Sequence, residues 1–349
     1  MISIDDIRER LREVRPPGLN RDIVTGGLVR EVGLKDGVVV VHFTPGPLPP
    51  PIAQATVADI KQVVGALPEV TRVDVQIARA PEVQLAAIPG VADIVAVAST
   101  KGGVGKSTVA VNLAVALTKL GKRVGILDAD VYGPSLPTML GLHARPRVID
   151  GNRVVPLEAH GLRVMSMGFF LDDTSPVIWR GPLVTGLLRQ FLKDVEWGEL
   201  DLLIVDLPPG TGDVPLTLVQ QVPLSGGVVV TTPQDVSVID VERGIAMFNQ
   251  VNAPVLGLVE NMSGYVCPHC GTRDEIFGAG GAARLERQFG VPILGRLPLE
   301  PAIRASGDAG TPIVLAAPDH AVSQTYRSIA EQVLEGIEAE RGEAPRIIG

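Results

Sequence analysis

The chain has 349 residues, enough for two domains or one domain with an appendage, and its 46% hydrophobic and 20% charged content suits a globular protein with a large core. A formal charge of −8 argues against a protein that coats nucleic acid, because counterion release needs clustered Lys and Arg. The acidic start Met-Ile-Ser-Ile-Asp-Asp lacks a signal peptide's apolar stretch, and no uncharged apolar run nears the ~20 residues of a membrane span; the expectation is cytoplasmic, with neither membrane nor nucleic acid as partner.

Residues 1–80 read as a small α+β domain. Ile4, Ile7, Leu11 and Val14 share one helical face, and Asp5 and Asp6 sit where the helix dipole favours them. Leu28–Leu34 and Val38–Phe43 flank Lys35-Asp36-Gly37 as a hairpin. Ile52–Leu67 follows as a helix, and Val70, Val73, Val75 and Ile77 as a strand, giving the order α-β-β-α-β. Residues 81–90, with Pro81, Pro89 and Gly90, read as a linker.

From residue 91 to about 340 buried apolar strands alternate with helices, ahead of a tail at 341–349. The strands expected are Ile94–Ser99, Val124–Asp128, Leu202–Asp206, Val228–Thr232, Val255–Glu260 and Ile293–Leu297, with a final helix over Ala317–Glu340. Repeated β-α units imply an α/β fold with a mostly parallel sheet covered by helices on both faces.

Between the first of these strands and a helix over Val109–Leu120 lie Thr100, Lys101, Gly102, Gly103, Val104, Gly105, Lys106, Ser107 and Thr108. Glycines permit a tight loop whose N–H groups, with the helix start, point at a phosphate. Lys106 would reach the β- and γ-phosphates of ATP, and Ser107 would ligate Mg²⁺. The chain has 7 Lys against 24 Arg, so two lysines in one loop need a local reason. Ammonium groups ~4 Å apart repel by about 4 kcal/mol at a surface-like dielectric, which bound polyphosphate relieves. The strict P-loop pattern fails only at Thr100, which holds the first glycine position; a purely structural turn is the alternative.

Three acids end apolar strands near this loop: Asp128 and Asp130 in Leu-Asp-Ala-Asp-Val-Tyr-Gly-Pro-Ser, and Asp206 before Leu-Pro-Pro-Gly-Thr-Gly-Asp213. Ligands of open parallel sheets bind at the carboxyl ends of strands, which makes the acids candidates for Mg²⁺ and water positioning. Helix capping is the competing reading, strongest for Asp128 and Asp213.

The two cysteines, Cys267 and Cys270, form one Cys-x-x-Cys after Asn261-Met-Ser-Gly. That is no secreted disulfide framework. A redox dithiol, a zinc or iron–sulfur half-site completed by a second chain, and two structural thiols all fit the spacing.

Lys101-Gly-Gly-Val-Gly-Lys-Ser-Thr108 resembles the deviant Walker A loop of the MinD-like P-loop ATPases. Within that class Asp128–Ser135, Trp179-Arg-Gly-Pro182, Asp206–Asp213, Glu260-Asn-Met-Ser263 and Cys267-Pro-His-Cys270 resemble the Mrp/ApbC branch of ATP-dependent iron–sulfur cluster carriers. Residues 1–80, including Arg21-Asp-Ile-Val24, are similar to the MIP18-type domain preceding many bacterial members, but Thr44-Pro45-Gly46-Pro47-Leu48 lacks the cysteine that domain often carries. The resemblance implies a homodimer that hydrolyses ATP and passes clusters from upstream donors to apo-proteins. It further implies a labile [4Fe–4S] cluster, or zinc in its place, bridged by both subunits' Cys267 and Cys270. Lys101 would reach the nucleotide of the opposite subunit, Asp130 would position the attacking water, and Asp206 would hold Mg²⁺ through water. Asn261 and the Pro298 region would recognise adenine. The rival readings are a cell-division or plasmid-partition ATPase, which needs an amphipathic helix or a basic surface, and a reductase like the nitrogenase iron protein, whose cysteines lie far apart.

Overall fold

The computed structural model describes residues 3–16, 22–35, 37–45, 50–77, 87–151, 153–170, 181–267 and 269–343. Trp179, Arg180, Arg21, Pro81 and Gly46–Leu48 of the motifs above lie outside that set. The chain divides into two compact units, Met1–Gln84 and Leu85–Gly349.

In the smaller unit, helix α1 (Ile4–Leu11) starts at a capping box in which the Asp6 amide donates to Ser3 Oγ and the Ser3 amide to Asp6 Oδ2. Strands β1 (Val29–Lys35) and β2 (Val38–Phe43) pair antiparallel, helix α2 spans Pro50–Gly65, and β3 (Arg72–Ile77) lies parallel to β2. The α-β-β-α-β order stands as expected. Ile7, Leu11, Val14, Val39, Val41, Phe43, Ile60 and Val64 fill the core. Ile4 does not join them: at the first turn of its helix it is exposed.

The larger unit opens with β4 (Val91–Ala98), α3 (Lys106–Lys119), β5 (Val124–Asp128) and α4 (Leu136–Met139). A small antiparallel pair follows, β6 (Arg147–Ile149) and β7 (Arg153–Val155), then β8 (Leu157–Ala159), β9 (Leu162–Ser166) and α5 (Gly181–Asp194). Next come β10 (Leu200–Asp206), α6 (Asp213–Val219), β11 (Gly226–Thr231), α7 (Asp235–Gln250) and β12 (Val255–Glu260). The chain closes with β13 (Tyr265–Val266), β14 (Arg273–Asp274), α8 (Gly281–Phe289), β15 (Ile293–Arg296), α9 (Pro301–Asp308), α10 (Ile313–Ala316) and α11 (Ala321–Glu343).

Eight strands form one sheet in the order β15-β12-β11-β4-β10-β5-β9-β8, parallel throughout except for the β8–β9 hairpin at one edge. The expectation missed β8 and β9, because Leu162-Arg-Val-Met-Ser is short and carries an Arg in a strand whose other members are buried. The central strands are uniformly buried, as a doubly covered parallel sheet requires. Helices α3 and α11 pack on each other and over β4, β5 and β15, while α7 and α8 pack together against β11, β12 and β15.

Small residues let these layers approach. A Cβ on Gly227 of β11 would fall 2.5 Å from the ring of fully buried Phe248 on α7, so the glycine is a socket for that ring. Phe248→Ala should cost about 3–5 kcal/mol, read as a lower midpoint of denaturant unfolding, and Gly227→Val should destabilise by overpacking the same contact.

Candidate functional site

Strand β4 lies between β10 and β11, and its exit is locked before the glycines begin: the Leu207 amide donates to Val97 O and the Gly210 amide to Ser99 O. Ser99 Oγ donates to the Lys101 carbonyl at 2.9 Å. Gly103 (φ 80°) and Gly105 (φ 84°) then take left-handed conformations, and Gly105 caps the start of α3. That geometry turns successive amides and the helix N-terminus toward a common concavity of about 260 Å³. Seven of the nine expected loop residues line it, together with Asp130, Gly133, Ser135 and Pro209. Thr100 and Val104 are not among them. Thr100 packs its methyl toward Gly244 of α7, and the Val104 side chain is buried, so both shape the loop from behind.

Lys106 is 5% exposed, and its Nζ lies 2.6 Å from Asp206 Oδ1, 3.8 Å from Asp130 Oδ2 and 3.3 Å from Ser107 Oγ. The sheet register brings the acids together, since Asp206 at the end of β10 pairs with Asp128 at the end of β5, and Asp128 with Ser166 at the end of β9. Burial, and then the Asp206 carboxylate, push the Asp128 carboxyl up to about 7. Burial also raises Asp206, against the pull of Lys106. Asp206 Oδ2 is buried and accepts no hydrogen bond among the described residues.

Asp128 acts within the protein. Its Oδ1 accepts from the Asp130 amide at 3.1 Å, and its Oδ2 from Ser166 Oγ at 3.0 Å and the Leu136 amide at 3.3 Å. It thus brackets the 129–135 loop that carries Asp130, combining the capping and site readings of the sequence. Ser166 went unnoticed in the sequence because its strand did. Asp213 is the first residue of α6.

The cysteines lie on the β13–β14 hairpin, in a turn closed by the Cys267 amide donating to Thr272 O and the Gly271 amide to Cys267 O, both 2.9 Å. Cys270 is exposed, with its Sγ 3.3 Å from Thr272 Oγ1; the Thr272 hydroxyl and amide, then Cys267, hold its thiol below the usual range. Among the described residues no group of three or more His, Cys, Asp or Glu is placed to hold a metal ion. Asn261, at the end of β12, is buried, and its Nδ2 donates to Val104 O at 2.8 Å. Read from the sequence, Asn261 is a candidate for adenine recognition; the structure places its side-chain amide against the phosphate loop.

A family model described as the NUBPL iron-transfer P-loop NTPase matches residues 90–334. The chain belongs to this family. A second model, described as an iron–sulfur cluster assembly protein, matches residues 4–75. An iron–sulfur cluster carrier protein of Synechocystis is 44% identical over 95% of this chain and 97% of its own length. One from Aquifex aeolicus is 41% identical over 97% and 99%. Among solved structures, a nucleotide-binding protein of Archaeoglobus fulgidus in complex with ADP is 43% identical, with a TM-score of 0.58 over 64% of this chain and 88% of that one. The cell-division ATPase MinD of Pyrococcus furiosus, 24% identical with a TM-score of 0.54 over 70% and 98%, shares the fold. Like other iron-transfer P-loop NTPases, the chain is an ATPase built on a deviant phosphate loop, and none of its described helices is long and apolar enough to cross a membrane.

Lys106→Ala removes the ammonium that lines the loop's concavity and should lower ATP turnover at least about 100-fold in a phosphate-release assay. With the thiols reduced, Cys270 should react with iodoacetamide with a pH midpoint below that of an ordinary cysteine, as mass spectrometry of the labelled peptide would show.

Proposed function

We propose that the protein binds iron–sulfur clusters and transfers them to apo-proteins under the control of ATP hydrolysis, as a homodimer that holds a [4Fe–4S] cargo between the Cys267 and Cys270 pairs of two copies. The observation that carries this reading is the exposed dithiol turn. It supplies two thiolates on a braced hairpin, and an iron–sulfur cluster takes four. The names borne by the Synechocystis and Aquifex relatives point to the same cargo. Around the turn, Val266, Ile276 and Leu299 are large apolar side chains left exposed, an apolar rim suited to a second copy. Reduced, accessible thiols suit a cytoplasmic, reducing compartment.

At the nucleotide, the loop amides and the α3 N-terminus bind the phosphates, and Lys106 exchanges its carboxylate partners for them. Mg²⁺ fits the residues present: Ser107 Oγ and the unpartnered Asp206 Oδ2 would hold it, directly or through water, and it would neutralise phosphate charge. Asp130 lines the concavity and is only 13% exposed, held by its own amide's bond to Asp128, where it orients the water that attacks the γ-phosphorus. Lys101, half-buried at the rim, reaches toward the nucleotide of the second copy. The γ-phosphate then decides which dimer is stable and how firmly the cargo is held.

Anaerobic reconstitution with iron and sulfide should give a brown dimer with broad visible absorption and about four iron atoms per pair of chains, and the cluster should pass to an apo-acceptor. Cys267→Ala and Cys270→Ala should each lose that spectrum. Variants that keep the full iron content would place the cargo elsewhere.

A further inference from the structure

We propose that Asn261 is a positioning residue that couples the two sites, so that nucleotide in the phosphate loop alters the reactivity and metal grip of Cys267 and Cys270. The inference rests on the preceding reading of those sites.

Three features of the structure support it. The first is the contact with the loop. Asn261 Nδ2 donates to the Val104 carbonyl at 2.8 Å, and the same nitrogen lies 2.2 Å from where a Cβ on Gly105 would stand. The amide thus fills the space left by the glycine whose φ of 84° sets up the helix start. When phosphates engage the Gly105 and Lys106 amides, the preceding peptide carries its carbonyl with it. Asn261 is buried, and a buried amide left without its acceptor is costly, so the side chain follows the loop.

The second feature is the lack of slack between Asn261 and the cysteines. The Asn261 amide donates to Thr231 O, Met262 takes a left-handed turn at φ 57°, the Ser263 amide donates to Leu297 O, and the Leu299 amide to Gly264 O. The chain then enters β13 directly, two residues before Cys267.

The third feature is the return strand. Arg273 Nη2 on β14 donates to the Ser263 carbonyl at 2.8 Å, and Arg273 pairs with Val266, the residue before Cys267. Displacement of the 261–264 bend therefore reaches both strands of the cysteine hairpin. A contiguous, hydrogen-bonded path of this length is a physical route for coupling at the lower end of the usual range, about five- to tenfold. Linkage makes the coupling reciprocal: metal on the thiols must change nucleotide affinity by the factor by which nucleotide changes metal affinity.

The test uses the full-length reduced protein without cluster. Iodoacetamide labelling of Cys267 and Cys270 is timed by mass spectrometry with and without saturating MgADP or a non-hydrolysable ATP analogue, and Zn²⁺ serves as the metal probe for the reciprocal titration. In the unaltered protein nucleotide should change the labelling rate about five- to tenfold, and Zn²⁺ should shift the nucleotide Kd by a comparable factor. In Asn261→Asp, which keeps the side-chain shape but presents an oxygen where the N–H donor was, and in Asn261→Ala, both effects should vanish when each variant is saturated according to its own titration. Circular dichroism and thermal midpoints report folding. Thiols indifferent to nucleotide in the unaltered protein overturn the proposal, as do variants that keep the full response. So does complete loss of nucleotide binding in both folded variants, which would make Asn261 part of the nucleotide site. Because labelling needs no cluster, failed reconstitution would sink the carrier reading while leaving this result standing.

Discussion

A buried ammonium is the constraint around which the larger unit is arranged. Lys106 opens α3 with almost no access to solvent, and its charge is balanced by Asp206 at 2.6 Å and Asp130 at 3.8 Å. Removing such charges from water is expensive, and a buried ion pair rarely returns more than it costs in stability. Retaining one at the mouth of an otherwise apolar sheet makes sense if another anion is to take part. In the proposed function, polyphosphate would compete for Lys106 directly, and the carboxylates it displaces would then be available to Mg²⁺ and water. Asp128 completes the balance. Its carboxyl is pushed up to about 7 beside Asp206, so the cluster does not hold three full negative charges around one cation with equal ease.

Register turns that local chemistry into architecture. Asp206 and Asp128 are partners on neighbouring parallel strands, and Ser166 stands beside Asp128 on the next. A one-residue slip would send these side chains to opposite faces of the sheet. The tight phosphate loop has a similar dependence: Gly105 supplies a left-handed conformation at the helix start, and its missing Cβ admits the Asn261 amide that holds the peptide before it.

Much of this could be read from the residues because local signals agreed. Continuous Val, Ile and Leu runs marked the central strands, glycines with two lysines marked the loop, and strand-terminal acids marked the mouth. The parts that could not be read depend on tertiary neighbours. Strand β9 is short and contains Arg163, so its partner-dependent burial, and with it Ser166, left no trace in periodicity. Thr100 in a glycine position looked like a departure from the motif, yet the structure accommodates its side chain beside Gly244, nearly 150 residues away. Asn261 was visible as a polar residue ending a strand. Its partner, a backbone carbonyl in the phosphate loop, has no sequence signature at all.

Parallel strands end on the same side, and this has a consequence for the proposed dimer. The loop leaves the end of β4, the acids sit at the ends of β5 and β10, and the cysteine hairpin follows the end of β12; all four strands run in one direction within one sheet. Nucleotide site and dithiol turn therefore belong to one edge of the molecule, and Lys101 opens onto it as do Val266 and Leu299 beside the hairpin. A second copy closing over that edge, as proposed, would meet Lys101 and an apolar rim around two thiols in a single interface. In that dimer, charge at the phosphates would act on the same surface that would complete the proposed four-thiolate site. With Asn261 joining the loop to the hairpin inside each chain, both the interface and the interior would answer to the same nucleotide.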